Sequence, residues 1–176
     1  EEREARVNEL EELLSKKDLA TKQLKEKIAR SLRSFEGKGL TVEEKDGKIY
    51  VSLEAKLLFA SGSTTVEPKG QKAIIELAQA IKGDDQLEII VEGHTDTDAL
   101  KSRVHPKNNW ELSVLRATSV IEIMTSKTDI NPNILMAAGR SEYHPVDAEN
   151  KAKNRRIEVI IAPNLDELFK IISQEK

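Results

Sequence analysis

The apolar residues of this 176-residue chain change their spacing along its length, from a period near 3.6 to a period of 2 and back. The first period gives a helix with one apolar face, the second a half-buried strand. Leu10, Leu13, Leu14, Ala20, Leu24, Ile28, Leu32 and Phe35 recur at spacings near 3 and 4 and predict an amphipathic helix from residue 1 to about 36, interrupted at Lys16-Lys17-Asp18. Gly37 and Gly39 break it. Asp46-Gly47 between Thr41–Lys45 and Lys48–Leu53 predicts a hairpin, because a type I′ turn needs positive φ at both central residues. From Pro68, the residues Ala73, Ile74, Leu77, Ala78 and Ile81 mark a helix that stops at Lys82-Gly83. Leu87, Ile89 and Val91 alternate as a strand, and a loop follows from His94 to Lys107.

Asn108 with Glu111 reads as a capping box, opening a helix whose expected core face is Trp110, Val114, Ala117, Ile121 and Met124. Ile134–Ala138 predicts a short strand and Arg156–Ile161 a stronger one. Asn164 with Glu167 predicts a second capping box and a last helix with Leu165, Leu168, Phe169 and Ile172 inward. The alternation implies an α/β (α+β) sandwich, a mixed sheet with helices on one face. Residues 1–38 are expected to form a helical stalk or linker and 39–176 the domain, including an extra C-terminal helix. The leading helix either packs one face on the domain or ends a stalk that holds it away from an anchor; a homodimer through it fits the pattern.

Composition removes several functions. Lys and Arg number 28 against 31 Asp and Glu, a net charge of -3, which argues against nucleic acid as a partner. There are 0 cysteines, so neither disulfides nor thiolate chemistry operate. No apolar run approaches the roughly 20 residues that span a bilayer. The chain opens EEREARVNEL, which reads as a fragment or mature form whose membrane anchor is missing at the N-terminus.

The densest polar cluster is GHTDTD, Gly93–Asp98, where a strand runs out into a loop. Such strand ends carry ligand groups in open α/β sheets. A metal site on His94, Asp96 and Asp98 lacks a second ligand cluster, and no nucleophile elbow supports catalysis; no metal, cofactor or catalytic residue is expected. A carboxylate that anchors a ligand competes with an Asp that satisfies its own loop backbone. Asn109 and Arg116 share a helical face with Leu112 and Ser113 between them, close to a helix start that favours anions. Asp96 beside Arg116 would suit a zwitterion, ammonium on the carboxylate and carboxylate on the guanidinium. The competing reading is an internal Asp–Arg ion pair. Both residues are expected on exposed edges, so that alanine variants keep the fold.

The helix carries N-x-x-L-S-x-x-R-A-x-x-V as Asn109, Leu112, Ser113, Arg116, Ala117 and Val120. VEGHTDTD stands upstream, AAGRSEYHPV and NRRIEVII downstream, and LLFASGSTTVEPKG precedes the first helix of the domain. These blocks, in this order over about residues 50 to 162, resemble the OmpA-like/MotB family of peptidoglycan-binding domains. The long loop Thr97–Lys107 looks more like the MotB branch. The resemblance implies non-covalent binding of peptidoglycan through the diaminopimelate of its stem peptide, at the periplasmic face of the cell envelope with outer-membrane association. It implies a non-enzymatic tether, or alternatively the wall-anchoring part of a MotB-like stator of an ion-driven motor. The family's Asp and Arg that hold diaminopimelate fall on Asp96 and Arg116; Asn109 and Arg155 are expected to add contacts, and Thr97 and Leu112 complete the ligand-binding set. His94 is expected to be buried rather than a ligand, and Asn154 and Arg156 structural. A wall-degrading enzyme would need a zinc site or carboxylate dyad that the sequence does not display.

Overall fold

The structure, a computed structural model, describes residues 1–173. Five strands form one mixed sheet: β1 (Leu40–Lys45), β2 (Lys48–Glu54), β3 (Leu87–His94), β4 (Leu135–Gly139) and β5 (Arg156–Pro163), in the order β1-β2-β5-β3-β4. All neighbours are antiparallel except β3 and β4, which are parallel. The helices are α1 (Glu2–Ser31), α2 (Ala55–Leu58), α3 (Pro68–Ile81), α4 (Asn109–Lys127), α5 (Lys151–Asn154) and α6 (Asp166–Ser173). The parallel pair is the one joined through a helix, α4, as a parallel connection requires.

The predicted hairpin forms as read: Asp46 and Gly47 have φ of 52° and 74° and close β1 onto β2 with Lys45 opposite Lys48. Strand alternation places Ile49, Val51, Leu53, Ile89, Val91, Ile157, Val159 and Ile161 on one buried face. Against it pack Ala73, Ile74, Leu77, Ala78 and Ile81 of α3 and Ala117, Val120 and Met124 of α4. Ile28 and Leu32 at the end of α1, with Phe35 just beyond, are buried in the same core. Further up that helix Val7, Leu14 and Leu19 are about half exposed. α3 begins with Pro68 and ends at Lys82, followed by Gly83 at φ 88°.

Two expectations about helix faces are corrected. Trp110 is 51% and Val114 41% exposed; the inward residues of α4 are Leu112, Ser113, Arg116, Ala117, Val120 and Met124. The cause lies in two glycines. Gly93 of β3 and Gly139 of β4 are register partners, and a Cβ on them would meet Ser113 O at 2.0 Å and Ser113 Oγ at 2.5 Å. α4 therefore presses Ser113 onto the bare backbone of the sheet, and its Trp110/Val114 side overhangs β4, an edge strand of the sheet. In α6, Leu165, Phe169 and Ile172 are exposed rather than inward, and Leu168 is only half-buried. That helix leans on α1 at the end of the sheet, outside the core. Its expected capping box also differs: Asn164 Oδ1 accepts from Asp166 N–H at 2.7 Å rather than from Glu167.

Candidate functional site

β3 runs out at His94, and the next residues turn across the start of α4. Asn108 caps that helix, its side chain accepting from Glu111 N–H at 2.9 Å. The returning half of the capping box goes one residue further back, because the Glu111 carboxylate accepts from Lys107 N–H at 2.7 Å and pairs with His105. Asn109, in the first turn, donates its amide to Asp98 O at 3.0 Å and Asp96 O at 3.4 Å. The strand end and the helix start are thereby fixed to each other.

Asp96 is only 6% exposed, which corrects the expectation of an exposed edge. Its Oδ1 accepts from Asp98 N–H at 2.8 Å, and its Oδ2 pairs with the guanidinium of Arg155, the residue between α5 and β5. Asp98 pairs in turn with Lys151 of α5 at 2.5 Å, and this carboxylate raises the lysine pKa. Arg116 is also 6% exposed. Its guanidinium lies 4.8 Å over the Phe59 ring, and its Nε–H donates to Ser63 O at 2.9 Å. Among the described residues neither of its terminal nitrogens has a hydrogen-bond partner, and no ion pair joins it to Asp96. Burial, followed by the neighbouring Arg155, lowers its pKa to about 10, against the opposing pull of Asp96; it stays charged at neutral pH.

The structure thus gathers Asp96, Arg116, Asn109 and Arg155 at one place. Thr97 is exposed beside them, and Leu112, 8% exposed, lies beneath as packing. The internal ion pair weighed for Asp96 exists, but with Arg155 and not with Arg116. Sequence reasoning missed Lys151, Phe59 and Ser63, and weighed Asp98 only as a metal ligand. Lys151 precedes Arg155 by one helical turn, the single local signal that could have found it. Arg116, Arg155 and Lys151 face the carboxylates of Asp96 and Asp98, so the cleft carries an excess positive charge and a helix N-terminus.

His94 points to the opposite face of the sheet. It is 3% exposed, its Nε2 lies 2.9 Å from Glu92 Oε1, and Glu158 Oε2 is at 3.9 Å. Arg140 holds the other oxygen of Glu92 at 3.0 Å and Arg156 holds Glu158 at 2.8 Å. Arg156 also donates to His144 O at 3.1 Å, and Asn154 Oδ1 accepts from Val146 and Asp147 N–H groups, so both residues brace the loop after β4.

Helices on one face of a mixed sheet and a buried, charged cleft at the end of a central strand define an OmpA-like α/β module. Residues 58–158, more than half of the chain, match the OmpA family. The chain belongs to the OmpA family. Among its relatives is Motility protein B of Bacillus subtilis, 29% identical over 65% of this chain and 45% of that protein. The periplasmic domain of Helicobacter pylori MotB has the same fold, with a TM-score of 0.69 and 26% identity over 78% of this chain and 88% of that one. The cell wall anchor of the T6SS from Pseudomonas aeruginosa does too, with a TM-score of 0.68 and 29% identity over 77% and 96%. The chain spans about half the length of the curated relatives it matches.

Proposed function

We propose that the cleft binds peptidoglycan non-covalently through the diaminopimelate of the stem peptide. The supporting observation is Arg116. Its body is buried against Phe59, while its terminal nitrogens remain open to solvent. Here its terminal nitrogens are unengaged although its Nε is fixed, which presents a planar fork ready for a ligand carboxylate. Asp96, anchored by Arg155 and by the Asp98 N–H, offers the negative end for the ligand ammonium. Asn109 and Arg155 hold the rim. The relatives, a motility protein and a cell wall anchor, support attachment as the role. The domain works at the periplasmic face of the cell envelope as the wall end of a tether, with the exposed half of α1 as its stalk. Outer-membrane association is one form of that tether. The named relatives, a motility protein and a cell wall anchor, favour a second reading in which the same grip serves a stator or another force-bearing complex.

The test is co-sedimentation with isolated peptidoglycan sacculi, competed by free diaminopimelate. Because both residues are buried, Asp96→Asn and Arg116→Lys are better probes than alanine. Each should weaken binding by about tenfold or more, the loss of one charge-assisted pair, with little change in melting temperature. Full binding by both variants, or pull-down that diaminopimelate does not relieve, refutes the reading.

A further inference from the structure

We infer that Trp110 and Tyr143 form a second subsite beside the cleft, a platform for a pyranose ring of the wall's glycan strand; this rests on the peptidoglycan reading above. The chain has 1 Trp, 2 Tyr and 3 Phe, so aromatic rings are scarce. Phe35 and Phe59 are buried and Phe169 stands alone and exposed on α6, whereas Trp110, 51% exposed, and Tyr143, 63% exposed, are paired. Their centroids are 5.6 Å apart with the planes inclined by 36°. The pair leaves contiguous aromatic surface in water, the kind of patch that marks a binding site.

Both rings stand on fixed backbone. Trp110 lies in the first turn of α4, and its carbonyl accepts from Ser113 Oγ at 2.8 Å. The same Oγ accepts from Ser141 N–H at 3.2 Å, and Thr95 N–H donates to Ser141 O at 2.9 Å. Tyr143 follows in that turn, its N–H donating to Arg140 O at 3.4 Å, while Arg140 is paired with Glu92. The backbone that carries the rings is therefore fixed and the rings rest on each other, which limits the ordering a ligand must impose.

Size and placement select the ligand. Two aromatic side chains offer at most about 300–500 Å², below the roughly 800 Å² per partner of a stable protein interface. That area suits one or two sugar rings, whose C–H faces are flat and apolar. Trp110 directly follows Asn109, which bonds the Asp96 and Asp98 carbonyls, so the platform and the cleft flank two sides of one helix start. A wall fragment could place its stem peptide in the cleft and its sugar on the rings.

Trp110 is the single tryptophan, so intrinsic fluorescence reads this site alone. The intact chain is titrated with the peptide-free disaccharide N-acetylglucosaminyl-N-acetylmuramic acid and, separately, with free diaminopimelate. A saturable emission change with the disaccharide supports the platform. So does about tenfold weaker sacculus binding by the Trp110→Ala/Tyr143→Ala double variant, with the remainder still relieved by diaminopimelate and with Trp110→Phe/Tyr143→Phe binding nearly as wild type. A disaccharide response without diaminopimelate competition supports the platform and sinks the cleft reading. No saturable response together with unchanged sacculus binding by the double variant overturns the platform. A double variant whose defect is loss of self-association overturns it too, assigning the rings to a protein contact.

Discussion

Glu92→Gln tests the ion network beneath the loop after β4. Glu92 is 8% exposed; one carboxylate oxygen faces His94 Nε2 at 2.9 Å and the other Arg140 Nε at 3.0 Å. The hydrogen bond with His94, then that with Arg140, outweigh burial and hold its pKa at about 2 instead of 4.5. At about 1.4 kcal/mol per tenfold, that difference corresponds to on the order of 3 kcal/mol of stability. The folded-state pKa is depressed, so this stability is fully present above the unfolded value near 4.5 and is lost as the pH falls through 2. Glutamine keeps the shape but not the charge, so Arg140 and the ring of His94 lose their ionised partner. Glu92→Gln should therefore be less stable than wild type by about 2–3 kcal/mol at neutral pH. The gap should fall to less than half near pH 3 and nearly vanish at pH 2. Urea unfolding of both proteins at pH 7, 4, 3 and 2 in matched salt gives the gap directly, and other acidic groups cancel in the difference. A gap that stays constant across this range, or is absent at pH 7, would refute the assignment of Glu92 as an ionised anchor of this network.

Two further outcomes concern how α4 is held. Asn108→Ala removes the side-chain cap and should lower stability by about 1 kcal/mol, read as a shift in urea midpoint; an unchanged midpoint would show that the cap contributes nothing. Gly93→Ala places a Cβ about 2.0 Å from the Ser113 carbonyl oxygen, a backbone atom that cannot swing aside. It should lower stability by about 3 kcal/mol or more and weaken sacculus binding with it, whereas a stable variant with normal binding would mean that α4 is not seated on the sheet at this point.

What the sequence disclosed was local. Asp46-Gly47 dictates its own turn, Asn108 caps the helix three residues away, and the alternation of Leu87, Ile89 and Val91 needs no partner to be read. The rotation of α4 about its axis was not local. Trp110, Val114 and Ala117 form a valid helical stripe, but Ser113 is turned inward by two glycines, Gly93 and Gly139, contributed by two other elements. α6 failed for a related reason: an apolar face in the sequence says nothing about whether a partner surface remains beside it. In the site, Asp96 and Arg116 were legible as charges of opposite sign near one helix start. Their separation was not, because Arg155 arrives from the junction of α5 and β5 and takes the place at Asp96 that spacing had given to Arg116.

That exchange of partners explains why the cleft is both stable and available. Had Asp96 and Arg116 closed on each other, the pair would satisfy itself and a ligand would have to break it. Arg155 is far more exposed than Asp96, with 44% of its side chain accessible against 7%, so its half of the pair is partly hydrated and yields at low cost. Arg116 has the opposite character: it is fixed through Ser63 and Phe59 by contacts a ligand need not disturb, and its two terminal nitrogens are left over. The body of Arg116 is buried while its terminal nitrogens stay open to solvent with no carboxylate on them among the described residues, and perturbed charges of that kind concentrate where a protein binds something. A ligand carboxylate therefore has no internal partner to displace at Arg116.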